Sequence, residues 1–533
     1  MTANAAKRAL TKDERRVILA SSLGTMFEWY DFYLYGSLAA IISKQFFAGV
    51  NETASFVFAL LAFAAGFAVR PFGALVFGRL GDIAGRKYTF LVTIVIMGLA
   101  TFAVGLLPTY ASIGVAAPVL LVALRLLQGL AIGGEYGGAA IYVAEHAPPG
   151  QRGFFTSWIQ TTASLGLLLS LAVILGARTI TGDAFEDWGW RIPFLMSIVL
   201  LGISVWIRLK LEESPTFQRI KAEGKQSKAP LTESFARWPN AKLVLIALFG
   251  GVAGQAVVWY GGQFYALFFL TQTLKLDATT ANLLQAGALI IGTPLFVVCG
   301  TLSDKLGRKK MIMAGLALAV LTTFPIFQGL TRFANPDLAA AQDTAKAVIV
   351  ADPATCAFQF NPVGTAAFTS DCDKARGALA RASVSYVNEA APAGATTIVR
   401  IGGVEIVGFD QAAVSAAIKA AGYPEKADPA KINILGVLGL LTLLMLYVAM
   451  VYGPIAAMLV ELFPARIRYT SMSLPYHIGN GWFGGFLPSV SFALVAMSGN
   501  IYYGLWYPVL IAGGSLIIGL LFLPETKDRP LND

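Results

Sequence analysis

Gly78-Arg79-Leu80-Gly81-Asp82-Ile83-Ala84-Gly85-Arg86-Lys87 and Gly300-Thr301-Leu302-Ser303-Asp304-Lys305-Leu306-Gly307-Arg308-Lys309 share the pattern G-x-L-x-D-x-x-G-R-K, 222 positions apart. Each copy lies between the second and third apolar stretches of a set of six. A second pair of landmarks, Glu145 seven residues before Arg152 and Glu461 seven before Arg468, recurs at an offset of 316. The offset has grown by 94, so the second half holds extra sequence, and the polar segment 331–431 is the place for it. Two parallel six-helix halves with a site between them is an alternating-access design.

The 533 residues are 56% hydrophobic and only 13% charged, too little charge to cover a soluble surface. A helix crossing the hydrocarbon core needs about 20 mostly apolar residues. Six stretches qualify in the first half: 21–42, 55–77, 88–107, 118–144, 154–175 and 191–209. Six more lie at 242–271, 281–302, 311–330, 434–459, 471–497 and 501–523. Their length and frequent Gly favour helices over barrel strands. The first stretch carries charge and is too long for a cleavable signal, so it reads as a retained helix. The expectation is an all-α membrane protein of twelve helices in two bundles. These are 1–210, and 242–330 with 432–533, joined by a cytoplasmic loop at 211–241. Segment 331–431 is expected to be a small α+β domain outside the membrane, between the ninth and tenth helices.

With both termini placed in the cytoplasm, the inner segments carry 25 of the 40 Lys and Arg, and the short outer loops carry three. This positive-inside asymmetry sets the orientation in an inner membrane and explains the basic balance without nucleic acid. Two histidines, His146 and His477, no metal-ligand spacing, no phosphate-cradling loop and no nucleophile constellation argue against an enzyme, a metal or a cofactor. The expected partners are the bilayer, a proton and a small solute, with the chain acting as a monomer.

The repeated loops, Arg125-Leu126-Leu127-Gln128-Gly129, Leu211-Glu212-Glu213-Ser214-Pro215 and Leu523-Pro524-Glu525-Thr526 resemble major facilitator superfamily motifs. Four further stretches resemble the metabolite:proton symporter family within it: Phe27-Glu28-Trp29-Tyr30-Asp31-Phe32, Arg70-Pro71-Phe72-Gly73, Gly133-Gly134-Glu135-Tyr136-Gly137-Gly138 and Trp190-Arg191-Ile192-Pro193-Phe194. The resemblance covers the membrane part and not segment 331–431. It implies proton-coupled import of a dicarboxylate, tricarboxylate, shikimate, aromatic acid, proline or betaine. It also implies a gate role for Gly78, Asp82, Gly85, Arg86, Gly300, Asp304, Gly307 and Arg308. Simple topology anchoring is the plainer reading of those loops.

Ionisable groups at midplane depth cost about 2.5–3.5 kcal/mol each on insertion scales, so each is a functional suspect. Glu28, Asp31 and Glu135 are the acids well inside the spans. Glu28 and Asp31, three apart, share a helix face. Asp31 or Glu28 is read as the proton carrier with Arg125 as counter-charge. Glu135 is read either as a further proton-coupling group or as the partner of a backbone group or Arg within a packed seam, with Arg70 as its pair. The alternative is a structural ion pair locking two helices. Gln255, Trp259 and Gln263, with Tyr260, are read as one wall of a solute cavity, and His477 and Asn480 as another, with Arg125 suited to gripping a carboxylate. A small organic anion is the first choice of substrate and a zwitterion the second. A transport-derived sensor is the competing class.

In segment 331–431, Asp337–Val350 and Asp373–Ala382 read as helices, and Thr397–Ile401 and Val404–Phe409 flank Gly402-Gly403 as a hairpin. Asp410 caps a short helix ending at Gly422. Cys356 and Cys372 are expected to form a disulfide in an oxidising compartment, while Cys299 stays a thiol in its span.

Overall fold

The computed structural model describes residues 12–47, 52–210, 212–357 and 368–531, with side chains described for all of these except 12–21, 28, 32, 39–40 and 52–64. Each of the twelve apolar stretches lies on a helix. Ten of these, among the described residues, are long and apolar enough to cross a membrane. Two more long helices, the first (Lys12–Ser37) and second (Glu52–Ile83), precede them. The third runs Arg86–Leu106, the fourth Ala116–His146, the fifth Arg152–Thr181, the sixth Arg191–Leu209 and the seventh Trp238–Thr273. The eighth is Ala278–Leu306, the ninth Arg308–Ala334, the tenth Ile434–Leu462, and the eleventh Arg468–Ser498.

Close packing of the second and fourth helices stems from sequence. Gly129 and Gly133 face Gly66 and Arg70 of the second helix so closely that a Cβ would strike its backbone. The small-residue spacing Gly129-x-x-x-Gly133 exists for that seam. The seventh helix is irregular, with π turns at Leu248–Val252, Gly261–Tyr265 and Phe269–Thr273. Each π turn adds a residue to the helical register and so rotates the next turns about the helix axis.

Segment 331–431 holds a four-stranded sheet, order β2-β1-β3-β4, from β1 Ala347–Ala351, β2 Tyr386–Ala390, β3 Ile398–Ile401 and β4 Val404–Val407. β1 pairs parallel with β2 and antiparallel with β3. Helix Asp371–Arg381 makes the crossover between the parallel strands. Gly402 and Gly403, both at positive φ, turn the β3–β4 hairpin, and Asp410 caps helix Gln411–Ala420 by accepting from Ala413 N at 2.9 Å. The helix expected over 337–350 is corrected: it ends at Thr344, and Ala347–Ala351 is a strand. The β-branched run Val348-Ile349-Val350 fits a pleated surface and finds partners on both sides, which periodicity alone does not reveal. The strand at 386–390 is an addition to the elements expected from sequence. Cys356 and Cys372 are joined as a disulfide, and Cys299 is a buried thiol.

This small domain is bonded to the second half. Tyr386 N donates to Gly499 O at 2.9 Å, past the end of the eleventh helix, and Tyr386 Oη donates to Ala496 O. Ala427 N donates to Lys275 O at 3.0 Å, and Asn335 Nδ2 to Leu274 O at 2.9 Å, in the turn between the seventh and eighth helices.

Candidate functional site

The repeated loops close one end of the bundle, the end opposite the sheet domain. Asp82 accepts from Tyr469 N (3.2 Å) and Thr470 N (2.9 Å), capping the first turn of the eleventh helix in the other half. Asp304 accepts from Gly153 N and Phe154 N, both at 2.8 Å, capping the fifth helix in the same way. A carboxylate at a helix N-terminus satisfies unpaired N–H groups and faces the positive end of the dipole. Arg86 Nη2 donates to Ala465 O at 2.7 Å, and Arg308 meets Glu461 at 3.1 Å and Asp304 at 2.7 Å. Gly85 and Gly307 sit at φ 122° and 112°, where a Cβ would meet Glu213 and Glu525. Those two acids cap the third and ninth helices, Glu213 accepting from Lys87 N at 3.2 Å and Glu525 from Arg308 N at 2.8 Å.

Deeper, Asp31 is buried at 6% exposure. Thr101 Oγ1 donates to Asp31 Oδ2 at 2.9 Å and accepts from Gln128 Nε2 at 2.7 Å. Gln128 Oε1 accepts from Arg125 Nη1 at 2.6 Å. Asp31 and Arg125 are thus joined by a relay of two neutral side chains, with the guanidinium also 4.2 Å from the Tyr35 ring centroid. Asp31, Arg70, Arg125 and Gln128 line one narrow cavity. Glu28 lies on the first helix with its side chain outside the described residues.

A second cavity is walled by aromatics: Trp29, Tyr136, Trp259, Tyr260, Tyr452 and Tyr476, with Arg70, His477 and Asn480. Tyr136 of one half stacks on Tyr476 of the other, 3.6 Å between centroids and 3° apart in plane. Trp29 meets Trp259 at 5.4 Å, and Tyr33 meets Phe264 at 6.1 Å further toward the sheet domain. Aromatic contacts across the halves thus flank the central cavity. Each central cavity has about 10 Å³ of room, enough for about one water molecule. The wet central pocket expected from sequence is contracted here. Among the described residues, both ring nitrogens of His477 and the Trp259 indole N–H are buried without a hydrogen-bond partner.

Several sequence assignments change. Glu135 pairs with Arg208, not Arg70: the Arg208 guanidinium donates to both Glu135 oxygens, and Thr93 Oγ1 donates at 3.0 Å. Arg208 ends the sixth helix and reads in sequence as an inner-surface charge. Gln255 and Gln263 do not line the aromatic cavity. Gln255 Nε2 donates to Asn480 Oδ1 and Asn480 Nδ2 donates to Gln255 Oε1, each at 3.3 Å. The π turn at Gly261–Tyr265 breaks the four-residue stripe that would align Gln263 with Trp259. Arg125 belongs to the Asp31 cavity rather than the aromatic one. Thr101 and Gln128 are site residues that the sequence reading misses, although a Gln inside an apolar stretch is signal enough. Tyr136 and Tyr452 escape it because a tyrosine in a span reads equally as packing, whereas Tyr476, expected to point inward beside His477 and Asn480, does line the cavity.

A profile of the sugar (and other) transporter family matches residues 17–242 and 377–533. The shikimate transporter of Escherichia coli K12 is 38% identical over 324 residues, 59% of this chain and 72% of that protein. The chain belongs to the metabolite:proton symporter family of the major facilitator superfamily. The proline/betaine transporter of the same organism is 38% identical over 325 residues, 59% of this family member and 64% of the relative, just under two thirds of its length. A structure of the proton:xylose symporter XylE bound to 6-bromo-6-deoxy-D-glucose superposes with TM-score 0.65 over 97% of this chain and 98% of XylE, at 16% identity, which shows the shared fold. This symporter-family member is a multi-pass membrane transporter and not an enzyme.

Proposed function

We propose that this chain imports a small organic anion together with a proton by alternating access. In this reading twelve helices span the inner membrane, both termini face the cytoplasm and the sheet domain lies outside. Asp31 carries the proton, and the aromatic cavity receives the solute. One observation carries the choice of an anion. Among the described residues, Arg70 is the sole charged side chain lining the aromatic cavity, and it also lines the Asp31 cavity. A carboxylate entering the aromatic cavity meets that cation, which suits planar recognition of carboxylate. The same cation faces the proton site, so solute and proton are felt by one group. The shikimate transporter among the relatives supports this substrate class.

The test is uptake of labelled shikimate and other small carboxylates into reconstituted vesicles, with and without an inward proton gradient. Gradient-driven accumulation is expected, with Asp31→Asn losing accumulation while keeping exchange. Accumulation indifferent to the gradient would end the proton-coupled reading. A second reading, a zwitterion such as betaine, is favoured by the paired Trp29, Trp259, Tyr136 and Tyr476 rings, whose faces suit a quaternary ammonium, and by the proline/betaine relative. Competition by betaine and none by carboxylates would select it. Binding without flux would select a sensor.

A further inference from the structure

A cavity roomier than either central one lies away from the seam between the halves. It is a cleft of about 380 Å³ where the sheet domain meets the turn between the seventh and eighth helices. Helix Asp371–Arg381 contributes Arg381, helix Gln411–Ala420 contributes Ser415, Ile418 and Lys419, and the turn contributes Lys275. Three cations face this space against one carboxylate, Glu425. None of the three makes an ion pair among the described residues, although Lys–Asp and Arg–Glu pairs are common elsewhere on the same domain, as at Lys431–Asp337 and Arg400–Glu405.

Lys275 is held there at some cost. Its backbone sits at φ 59°, left-handed for a residue with a side chain, and its ammonium donates to Arg381 O at 2.5 Å. Burial pushes that ammonium below its usual lysine range. The domain therefore aims uncompensated positive charge into a roomy, partly apolar cleft floored by Ile418 and buried Tyr423.

We propose that this cleft is a second binding site, for a small organic anion whose carboxylate lies among Lys275, Arg381 and Lys419 while its apolar body rests on Ile418 and Tyr423. Ser415 and Gln411 supply neutral hydrogen bonds at the rim. The site lies on the sheet domain, apart from both central cavities, and its occupancy does not require the transport reading. Because the cleft includes Lys275, a ligand there touches the turn that follows the helix carrying Trp259 and Tyr260.

The experiment is photolabelling of the full chain in lipid nanodiscs with 4-azidobenzoate, mapped by peptide mass spectrometry. Label is expected within 411–425, competed by benzoate and not by the uncharged benzamide. The exposed pair Arg381→Gln with Lys419→Gln should cut that label at least tenfold, and Arg70→Gln should leave it unchanged. Glu425→Gln removes the one opposing carboxylate and should raise labelling two- to threefold, a gain that misfolding does not produce. No label in 411–425, equal competition by benzamide, label persisting in the double variant, or no gain in Glu425→Gln would each overturn the proposal. Absence of uptake with labelling intact would count against the transport reading alone.

Discussion

Arg468 Nη1 donates to Glu145 Oε1 at 2.8 Å, joining the start of the eleventh helix to the end of the fourth across the two halves. Its repeat counterpart, Arg152, meets Glu461 at 3.3 Å from the opposite direction. The two contacts are the same interaction made twice, once from each half. All four side chains are nearly withdrawn from solvent. Charges so placed are held only while their partners stay.

Glu461 gathers Arg152, Arg308 and Thr526, so its loss leaves buried Arg152 without its acid and Arg308 with Asp304 alone. Removing one member of a buried pair costs about 3–5 kcal/mol, comparable with the few kcal/mol that separate conformers of a two-state protein. Glu461→Gln is expected to open this end. A cysteine placed at Ser157 should then react with a maleimide at least tenfold faster than in the otherwise wild-type background. An unchanged rate would show that the helix caps alone hold the end shut.

Glu135 and Arg208 form an ion pair with both side chains about 1% exposed. Glu135→Ala should destabilise the fold by about 3–5 kcal/mol, read as a fall in melting temperature in detergent. Replacing both partners, Glu135→Leu with Arg208→Met, should recover much of that loss, because no uncompensated charge remains. Proton coupling carried by Glu135 would instead appear as lost accumulation in the double variant despite restored stability.

Gly307 and Gly85 occupy a backbone region that is essentially glycine's own, worth about 1–3 kcal/mol of strain for another residue. Each also leaves room for an acid that caps the next helix. Gly307→Ala is expected to lower stability by at least that amount, and Glu525→Gln in the same chain should add less than it does alone. Additive effects would separate the glycine from the cap.

Asp352 accepts from Ala354 N and Gly394 N, each at 2.9 Å, and these two N–H groups hold its carboxyl below the usual range. A depressed folded value stabilises the charged state of the folded domain. That stabilisation is complete above about 3.9, the unfolded value, and is lost as pH falls through the lower folded one. Protection from hydrogen exchange around β1, taken relative to the intrinsic rate at each pH, should therefore fall on acidification into that window, and Asp352→Asn should flatten the dependence. Identical acid profiles for the two proteins would rule this out.

Reading the chain as two repeats of apolar helices needs only the twice-used G-x-L-x-D-x-x-G-R-K pattern and the charge asymmetry, because both are local along the chain. Gly85 and Gly307 are legible for the same reason, since tight turns are short-range devices, and Asp82 and Asp304 stand out as repeated positions although the helices they cap lie in the opposite half. Asp31 and Arg125 stand out because charge in an apolar run is expensive wherever it points.

The features hidden from sequence depend on partners far apart along the chain. Arg208 looks like one more inner-surface cation until folding sets it beside Glu135, and nothing local distinguishes Arg70 as the group that faces both cavities. The Tyr136–Tyr476 stack, the displacement of Gln263 by a π turn, and the pairing of β1 with β2 arise from contacts between helices and strands that composition cannot rank. Composition and periodicity determine which segments bury apolar surface, since that free energy scales with residue type. Tertiary structure alone decides which buried charge faces which, because electrostatic pairing falls off within a few ångströms and depends on rotations that the order of residues does not encode.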